Sequence, residues 1–279
     1  MVSINKVKFL FTSFSAQTEA IAPIIKQKDV VNFAITVSKI GDGNKIFRDY
    51  WDMQDAGSAI GKAVIKEDVK SLGIIALNYA DTKFFLKGLT NEVGNIKVTT
   101  EYFNFGDKDF KTQLLKLKNN NPDAILIYAF PGVEAINITN QIKILGLDNL
   151  KLFAGATTYG FPFMYQQLNE TLLKMHAIDS WYSLDKDNAV SASFIKNYKA
   201  IYKEDIVGDA AYTYDDIYAI AKAIEKAGND LSTANLVKEL KKVEINGAAG
   251  ILNFDLLGNS QRKAYLQTFT KDGWIGYQD

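Results

Sequence analysis

The 279-residue sequence has no cysteine, four prolines, three tryptophans and a single histidine. Without a thiol there is no disulfide framework, no Cys-based zinc site and no nucleophilic cysteine, and cysteine usage leaves the redox compartment open. With His176 as the only imidazole, a histidine pair for a metal is excluded, and neither H-E-x-x-H nor G-x-S-x-G occurs. His176 opens an apolar run with no nucleophile beside it and reads as structural. No apolar run approaches the roughly 18 residues of a membrane span. An excess of either charge is also missing. Lys plus Arg and Asp plus Glu are both 32, so the chain has no field to steer nucleic acid or an acidic membrane surface. The opening Met1–Lys6 lacks the basic stretch and apolar core of a secretory signal, so on this reading the signal was removed or the chain begins internally.

Hydrophobic residues make up 47% and charged residues 23%, which is ordinary usage for a folded protein in water. The length suits two α/β units with separate cores. From Lys70 onward, short β-branched runs at Ser71–Leu77, Lys97–Phe103, Ala124–Ala129, Lys151–Ala156 and His176–Ser183 alternate with helical-period segments, the pattern of βαβ units on a parallel sheet. Phe110, Leu114 and Leu117 form one helical stripe, and Asn119–Pro122 ends it. Gly146 and Gly228 stop two further helices. The opening repeats the theme with strands at Lys8–Thr12 and Val30–Val37 around a helix at Gln17–Lys28. Helices follow over Ser191–Tyr202 and along the stripe Tyr214, Ile217, Tyr218, Ala221 and Ile224. At the end, Ile251–Asp255 and Lys263–Thr270 read as a hairpin closed by Leu256–Asn259. The four prolines are expected at element boundaries.

Several apparent motifs fail. Gly57-Ser58-Ala59-Ile60-Gly61-Lys62-Ala63 has three residues between its glycines and Ala after Lys, so it lacks both the cradle and the metal hydroxyl of a phosphate loop. Gly41-Asp42-Gly43 lacks the third glycine of a dinucleotide fingerprint. Asp215 and Asp216 are adjacent on a helix and point apart, so they read as a solvated face or a hinge contact and not as an acid–base pair. Chemistry-bearing constellations are absent, and binding is the stronger class.

Thr12-Ser13-Phe14-Ser15-Ala16-Gln17-Thr18 is different, because small hydroxyl residues lie between a strand end and a helix start. In open α/β sheets ligands sit there, and the helix start offers unpaired N–H groups to an anionic oxygen. A plain Ser N-cap is the alternative.

That segment with Ala22-Pro23, then Asn32–Ser38 and Phe47-Arg48, resembles the first lobe of the leucine/isoleucine/valine-type periplasmic binding proteins of ABC transporters. The resemblance continues through Asp109–Lys118 with Pro122-Asp123-Ala124, Glu134-Ala135, Leu145-Gly146-Leu147, Tyr214-Asp215 with Glu225–Gly228, and Gly247 and Gly250 with Phe254-Asp255 and Gly258. It implies an α/β, two-lobed type I periplasmic-binding-protein-like fold, with parallel sheets flanked by helices. Lobe one is expected over 1–52 and 184–246, and lobe two over 53–183 and 247–279. The resemblance further implies capture of a small polar ligand by closure of two lobes, with no cofactor and no catalysis. A membrane permease of an ABC transporter would be the partner, and the location periplasmic or extracellular with a lipid anchor. A ligand-sensing receptor domain of the same fold is the alternative. Ser13 and Ser15 match the loop that holds a ligand carboxylate, and Ser38, with Thr36 close by, matches a hydroxyl residue at the next strand end. From lobe two, Phe130, Asp81, Tyr79 and Tyr159 are the implied contacts.

Two departures stand out. Where amino-acid binders of the family carry an acidic residue for the ligand ammonium, this chain has Ala156-Thr157-Thr158, leaving Asp81 as a substitute or implying a ligand without an amine. The family also begins with a segment ahead of the one that opens here, so lobe one is expected to lack its central strand and to expose Phe9, Phe11 and Phe33.

Overall fold

A computed structural model describes residues 6–155, 158–179, 188–204, 206 and 208–277. The chain divides into two compact units, Met1–Asp52 with Asp185–Lys263, and Met53–Leu184 with Ala264–Asp279.

In unit 1, β1 (Phe9–Ser13), β2 (Val31–Ile35) and β3 (Ile46–Arg48) form a parallel sheet in that order. Register places Phe11 beside Phe33 and Phe33 beside Phe47. Their rings stack across the strands at 5.7 Å centroid spacing for each pair, an aromatic row that fixes pairing on one face. Helices α8 (Gly208–Ala227) and α9 (Thr233–Leu240) cover this row with Ala219, Ile220, Ala223, Val237 and Leu240. On the opposite face, Ile25 of α1 (Ser15–Gln27) packs with Val30, Ala34 and Ile46. Helix α7 (Ala189–Tyr202) starts at Asn188, whose side chain accepts from the Val190 and Ser191 N–H groups, a capping arrangement that satisfies two orphan donors. The strands β9 (Glu244–Gly247) and β10 (Gly250–Asn253) form an antiparallel pair.

In unit 2 the order is β12-β11-β8-β7-β6-β4-β5, with β4 (Ser71–Leu77), β5 (Lys97–Phe103), β6 (Ala124–Tyr128), β7 (Lys151–Ala154), β8 (His176–Asp179), β11 (Tyr265–Thr270) and β12 (Gly273–Gly276). The first five are mutually parallel, and β11 and β12 add antiparallel strands next to β8. β6 is buried throughout because both faces are covered, which explains its uninterrupted apolar sequence. One face packs Ile75, Leu77, Ile125 and Ile127 against α4 (Lys111–Lys118), α5 (Val133–Ile144) and α6 (Pro162–Leu172) through Leu114, Leu117, Ile138, Ile142 and Leu168. On the other, Tyr128 meets Phe85 at 4.9 Å between ring centroids.

The rejected phosphate-loop segment has a packing role. Gly57 and Gly61 lie on α2 (Met53–Lys66) and Gly88 on α3 (Ala80–Val93). A Cβ on Gly57 would overlap the Phe85 carbonyl, and one on Gly88 would overlap the Gln54 carbonyl. The glycines therefore let the two helix backbones touch.

Five expectations are corrected. Ile251–Asp255 does not form a hairpin with Lys263–Thr270: β10 pairs with β9 in unit 1, whereas β11 pairs with β8 and β12 in unit 2. The last crossing accordingly lies at Lys263/Ala264 rather than at 246/247. Pro23 sits inside α1 rather than at a boundary, where Ile21, Ala22 and Ile25 pack on the sheet and offset a cost of about 3 kcal/mol. Asp215 and Asp216 are fully buried, not solvated. Phe33 is also fully buried, since β2 has a neighbour on each side, while Phe9 and Phe11 are partly buried. The expected ends of β7 at Ala156 and of β8 at 180–183 lie outside the described residues, as does the 183/184 boundary.

Candidate functional site

The hydroxyl residues of unit 1 gather where β1 and β2 end. Ser15 is the first residue of α1, and the cap position belongs to Phe14, which makes no side-chain cap bond. The plain Ser N-cap reading therefore does not describe this helix start. Ser15 turns its Oγ to Thr36 Oγ1 at 2.6 Å, and Thr36 Oγ1 also accepts a long 3.4 Å bond from the Ser38 N–H. Thr36 is buried, Ser38 half-buried and Ser13 exposed. No acidic residue lies in the first turn of α1, so its dipole end is not neutralised from within.

Phe14 holds the loop in an uncommon shape. Its φ is 63° and ψ 144°, a region that costs a non-glycine residue about 1–3 kcal/mol. The bend is held by the Phe14 N–H donating to Ile35 O at 3.2 Å and by Thr18, whose Oγ1 donates to Phe14 O at 2.8 Å. Its ring is 68% exposed.

Beneath the loop, Arg48 is buried and donates from Nε to Thr36 O at 2.8 Å, from Nη2 to Val37 O at 3.2 Å, and from Nη2 to Trp51 O. Burial lowers the Arg48 pKa, and the nearby Asp52 and Asp49 charges oppose that shift. A guanidinium spent on three carbonyls sets the path of residues 36–38. Sequence reasoning noted Arg48 only as part of a motif. A cation closing the apolar Ile-Phe-Arg strand was the available signal.

In unit 2 the sheet order places β6 and β5 on opposite sides of β4. The crevice beyond the carboxyl ends of β4 and β6 is thus a topological switch point, the usual ligand position in such sheets. Tyr79, the cap residue of α3, and Phe130, just past β6, meet there edge to face with centroids 5.2 Å apart. Both rings are partly exposed, at 37% and 40%. Asp81 occupies the first turn of α3 and is buried. Burial first, then the charges of Asp81 and Tyr79, push the Tyr128 phenol up and keep it protonated; its OH donates to Met53 Sδ at 3.4 Å. Gly155 is required beside it, since a Cβ there would lie 2.5 Å from Tyr128 Cδ2. Thr158 donates to Ala129 O at 2.8 Å, while Ala156 and Thr157 lie outside the described residues.

The structure thus brings Ser15, Thr36 and Ser38 together in unit 1, with Ser13 at the exposed end of β1, and Tyr79 and Phe130 together in unit 2, with Asp81 two residues past Tyr79. Tyr159 is placed elsewhere: it is fully buried, its OH shares a 2.7 Å hydrogen bond with Thr139 Oγ1, and burial holds its phenol protonated. It belongs to the core of unit 2. His176 shares a 2.9 Å hydrogen bond with Thr268 Oγ1. Among the described residues no cluster of His, Asp and Glu is arranged to hold a metal ion, and no helix is long and apolar enough to cross a membrane.

Solved structures share this architecture. A leucine-binding protein, LivK, from Thermotoga maritima aligns with a TM-score of 0.86 and 23% identity, over 99% of this chain and 81% of its own. The isoleucine-bound LivJ substrate-binding protein from Streptococcus pneumoniae gives 0.86 and 23%, over 99% and 80%. A benzoate-bound solute-binding protein of an ABC transporter from R. palustris gives 0.83 and 18%, over 99% and 78%. These likenesses establish the type I periplasmic-binding-protein fold. The periplasmic binding protein family matches residues 1–273, and the chain is a member of that family.

Proposed function

We propose that this chain is an extracytoplasmic solute-binding protein that captures a small polar ligand bearing a carboxylate or amide oxygen and passes it, unchanged, to the membrane permease of an ABC importer. The observation that carries this reading is the hydroxyl loop of unit 1: Ser15 and Thr36, with the Ser38 N–H, are pre-arranged by Arg48 at a helix start free of acidic side chains. Such a loop offers donors to an anionic oxygen without a competing cation. Ser13 lies beside it. In unit 2, Tyr79 and Phe130 offer apolar surface and Asp81 a carboxyl group at the switch point of that unit's own sheet. Structures of this fold bound to isoleucine and to benzoate support a ligand that carries a carboxylate.

A thermal-shift panel of amino acids, small carboxylates and small amides tests the proposal. A ligand at 100 times its dissociation constant adds about 2.7 kcal/mol to folding stability, a clear rise in melting temperature. The bound compound is then recovered and analysed. Recovery intact supports binding; conversion to product overturns the reading in favour of an enzyme.

A further inference from the structure

Unit 1 contains a buried group of charges that the binding loop does not use. Asp49 follows β3 and Arg262 follows β10, each within a few residues of a crossing out of the unit, and Asp215 and Asp216 lie on α8. Arg262 donates from Nε to Asp49 Oδ1 at 2.7 Å and from Nη2 to Asp49 Oδ2 at 2.9 Å. Nη2 also reaches Asp215 Oδ2 at 2.8 Å, and Nη1 reaches Ala249 O at 2.8 Å and Gly250 O at 3.1 Å. A guanidinium has five N–H bonds, so Arg262 has none left. Both oxygens of Asp215 are engaged as well: besides Arg262 it accepts from the Ala248 N–H at 2.5 Å and the Ala249 N–H at 2.9 Å. Gly247 makes this possible, because a Cβ there would overlap the Asp215 carboxylate.

Asp216 is left over. It is fully buried, neither carboxylate oxygen receives a hydrogen bond, and its side chain lies within hydrogen-bonding reach of Asp49. The charged groups facing it are Asp49 from the segment after β3, Arg262 from the segment after β10 and Asp215 of its own helix. A buried carboxylate without donors is expensive, and two carboxylates in contact cannot both be ionised unless a proton lies between them. Asp49 is gripped at both oxygens by Arg262, so the proton resides on Asp216.

We propose that Asp216 is a neutral acid that donates its proton to Asp49, completing the Asp49–Arg262 clamp on residues 49–52 and 260–263, and that loss of this proton as pH rises loosens unit 1. Burial, then repulsion from Asp49, pushes the Asp216 carboxyl well above the usual range. The sign is therefore the reverse of an ordinary salt-bridged aspartate. Unfolded, the group ionises near pH 4, while folded it keeps its proton. Stability from this group is fully present below about pH 4, falls as pH rises from there, and levels off above the folded-state value. The device is independent of which ligand the chain binds.

The test is the melting temperature of the full chain and of Asp216→Asn from pH 4.5 to 9. The amide keeps a donor toward Asp49 but cannot ionise, so the melting temperature of the variant minus that of the native chain should increase with pH. A difference that stays constant, or falls, overturns the proposal. Should the Asn variant not fold, carbon-13 carboxyl spectra of aspartate-labelled protein at pH 7 decide, in an Asp209→Asn background because burial also pushes Asp209 up. A neutral-acid chemical shift assigned to Asp216 through its backbone resonances upholds the proposal, whereas a neutral acid at Asp215, which burial also pushes up, or a fully ionised set overturns it.

Discussion

Ser15 Oγ and Thr36 Oγ1 lie 2.6 Å apart although 21 positions separate them, so the ends of β1 and β2 present one paired hydroxyl unit. Ser15 is not the helix cap, and its removal leaves the cap geometry at Phe14 intact. Ser15→Ala should therefore weaken ligand binding by about 1–3 kcal/mol, the range for hydrogen bonds to charged groups, with little change in the melting temperature of the ligand-free chain. Calorimetry on the first ligand identified checks this. Unchanged affinity would remove Ser15 from the site.

Ligand chemistry gives a second expectation. Residues 156–158 are Ala-Thr-Thr and offer no carboxylate, and an unpaired buried ammonium is costly. Zwitterionic leucine, isoleucine and valine should bind more weakly than the corresponding acids without an amine. If calorimetry instead finds tight branched-chain amino-acid binding, Asp81 is the remaining anchor, and Asp81→Asn should then abolish it.

Arg48 couples fold to site. Arg48→Met removes the donors to Thr36 O, Val37 O and Trp51 O. Each buried acceptor left unsatisfied costs about 1–3 kcal/mol, so the variant should lose on the order of 3 kcal/mol or more in chemical denaturation. Affinity should fall further than for Ser15→Ala, because Thr36 and Ser38 shift together. Stability equal to the native chain would show that the loop path is set elsewhere.

The glycines of α2 and α3 invite a packing test. A methyl at Gly88 meets the Gln54 carbonyl, which is backbone and cannot swing aside. Gly88→Ala should destabilise unit 2 by about 1–3 kcal/mol, the usual range for overpacking, despite the better helix propensity of Ala. Urea denaturation checks it, and a neutral or stabilising result would mean that the helices separate freely.

Much of this was legible in the residues. β4 and β6 were readable because strands buried on both faces are apolar throughout. Ser15 stood out because hydroxyls lie between a strand end and a helix start, whereas Thr36 entered only through the family resemblance. What escaped depends on partners far along the chain. Ile251 and Lys263 flank a turn signal, but only the pairing of Gly250 with Gly247 and of Tyr265 with Asp179 assigns the two runs to different sheets. Asp215 and Asp216 look like a solvated pair until Arg262 is brought 47 residues back onto Asp215. Pro23 is tolerated in α1 through packing that no local pattern reports, and Tyr159 turned to Thr139 rather than to a ligand because both face one core.

The last prediction concerns local stability. β1 pairs with β2 alone among the described strands, and its residues are half-buried or exposed. β6 is flanked by β4 and β7 and is buried throughout. Amide exchange reports the free energy of opening, which is low where backbone bonds are near solvent and few apolar contacts must break. Phe9 and Phe11 do add ring contacts to Phe33, at 6.5 and 5.7 Å, but these protect one face only. Phe9–Ser13 should therefore exchange faster than Ala124–Tyr128 by orders of magnitude, since each 1.4 kcal/mol of opening energy is tenfold in rate. Saturating ligand held at Ser15 should slow the β1 amides most, because stabilisation by binding acts on openings that disrupt the site. Equal slow exchange in both strands of a ligand-free monomer would show that β1 is held as firmly as the centre of the unit 2 sheet.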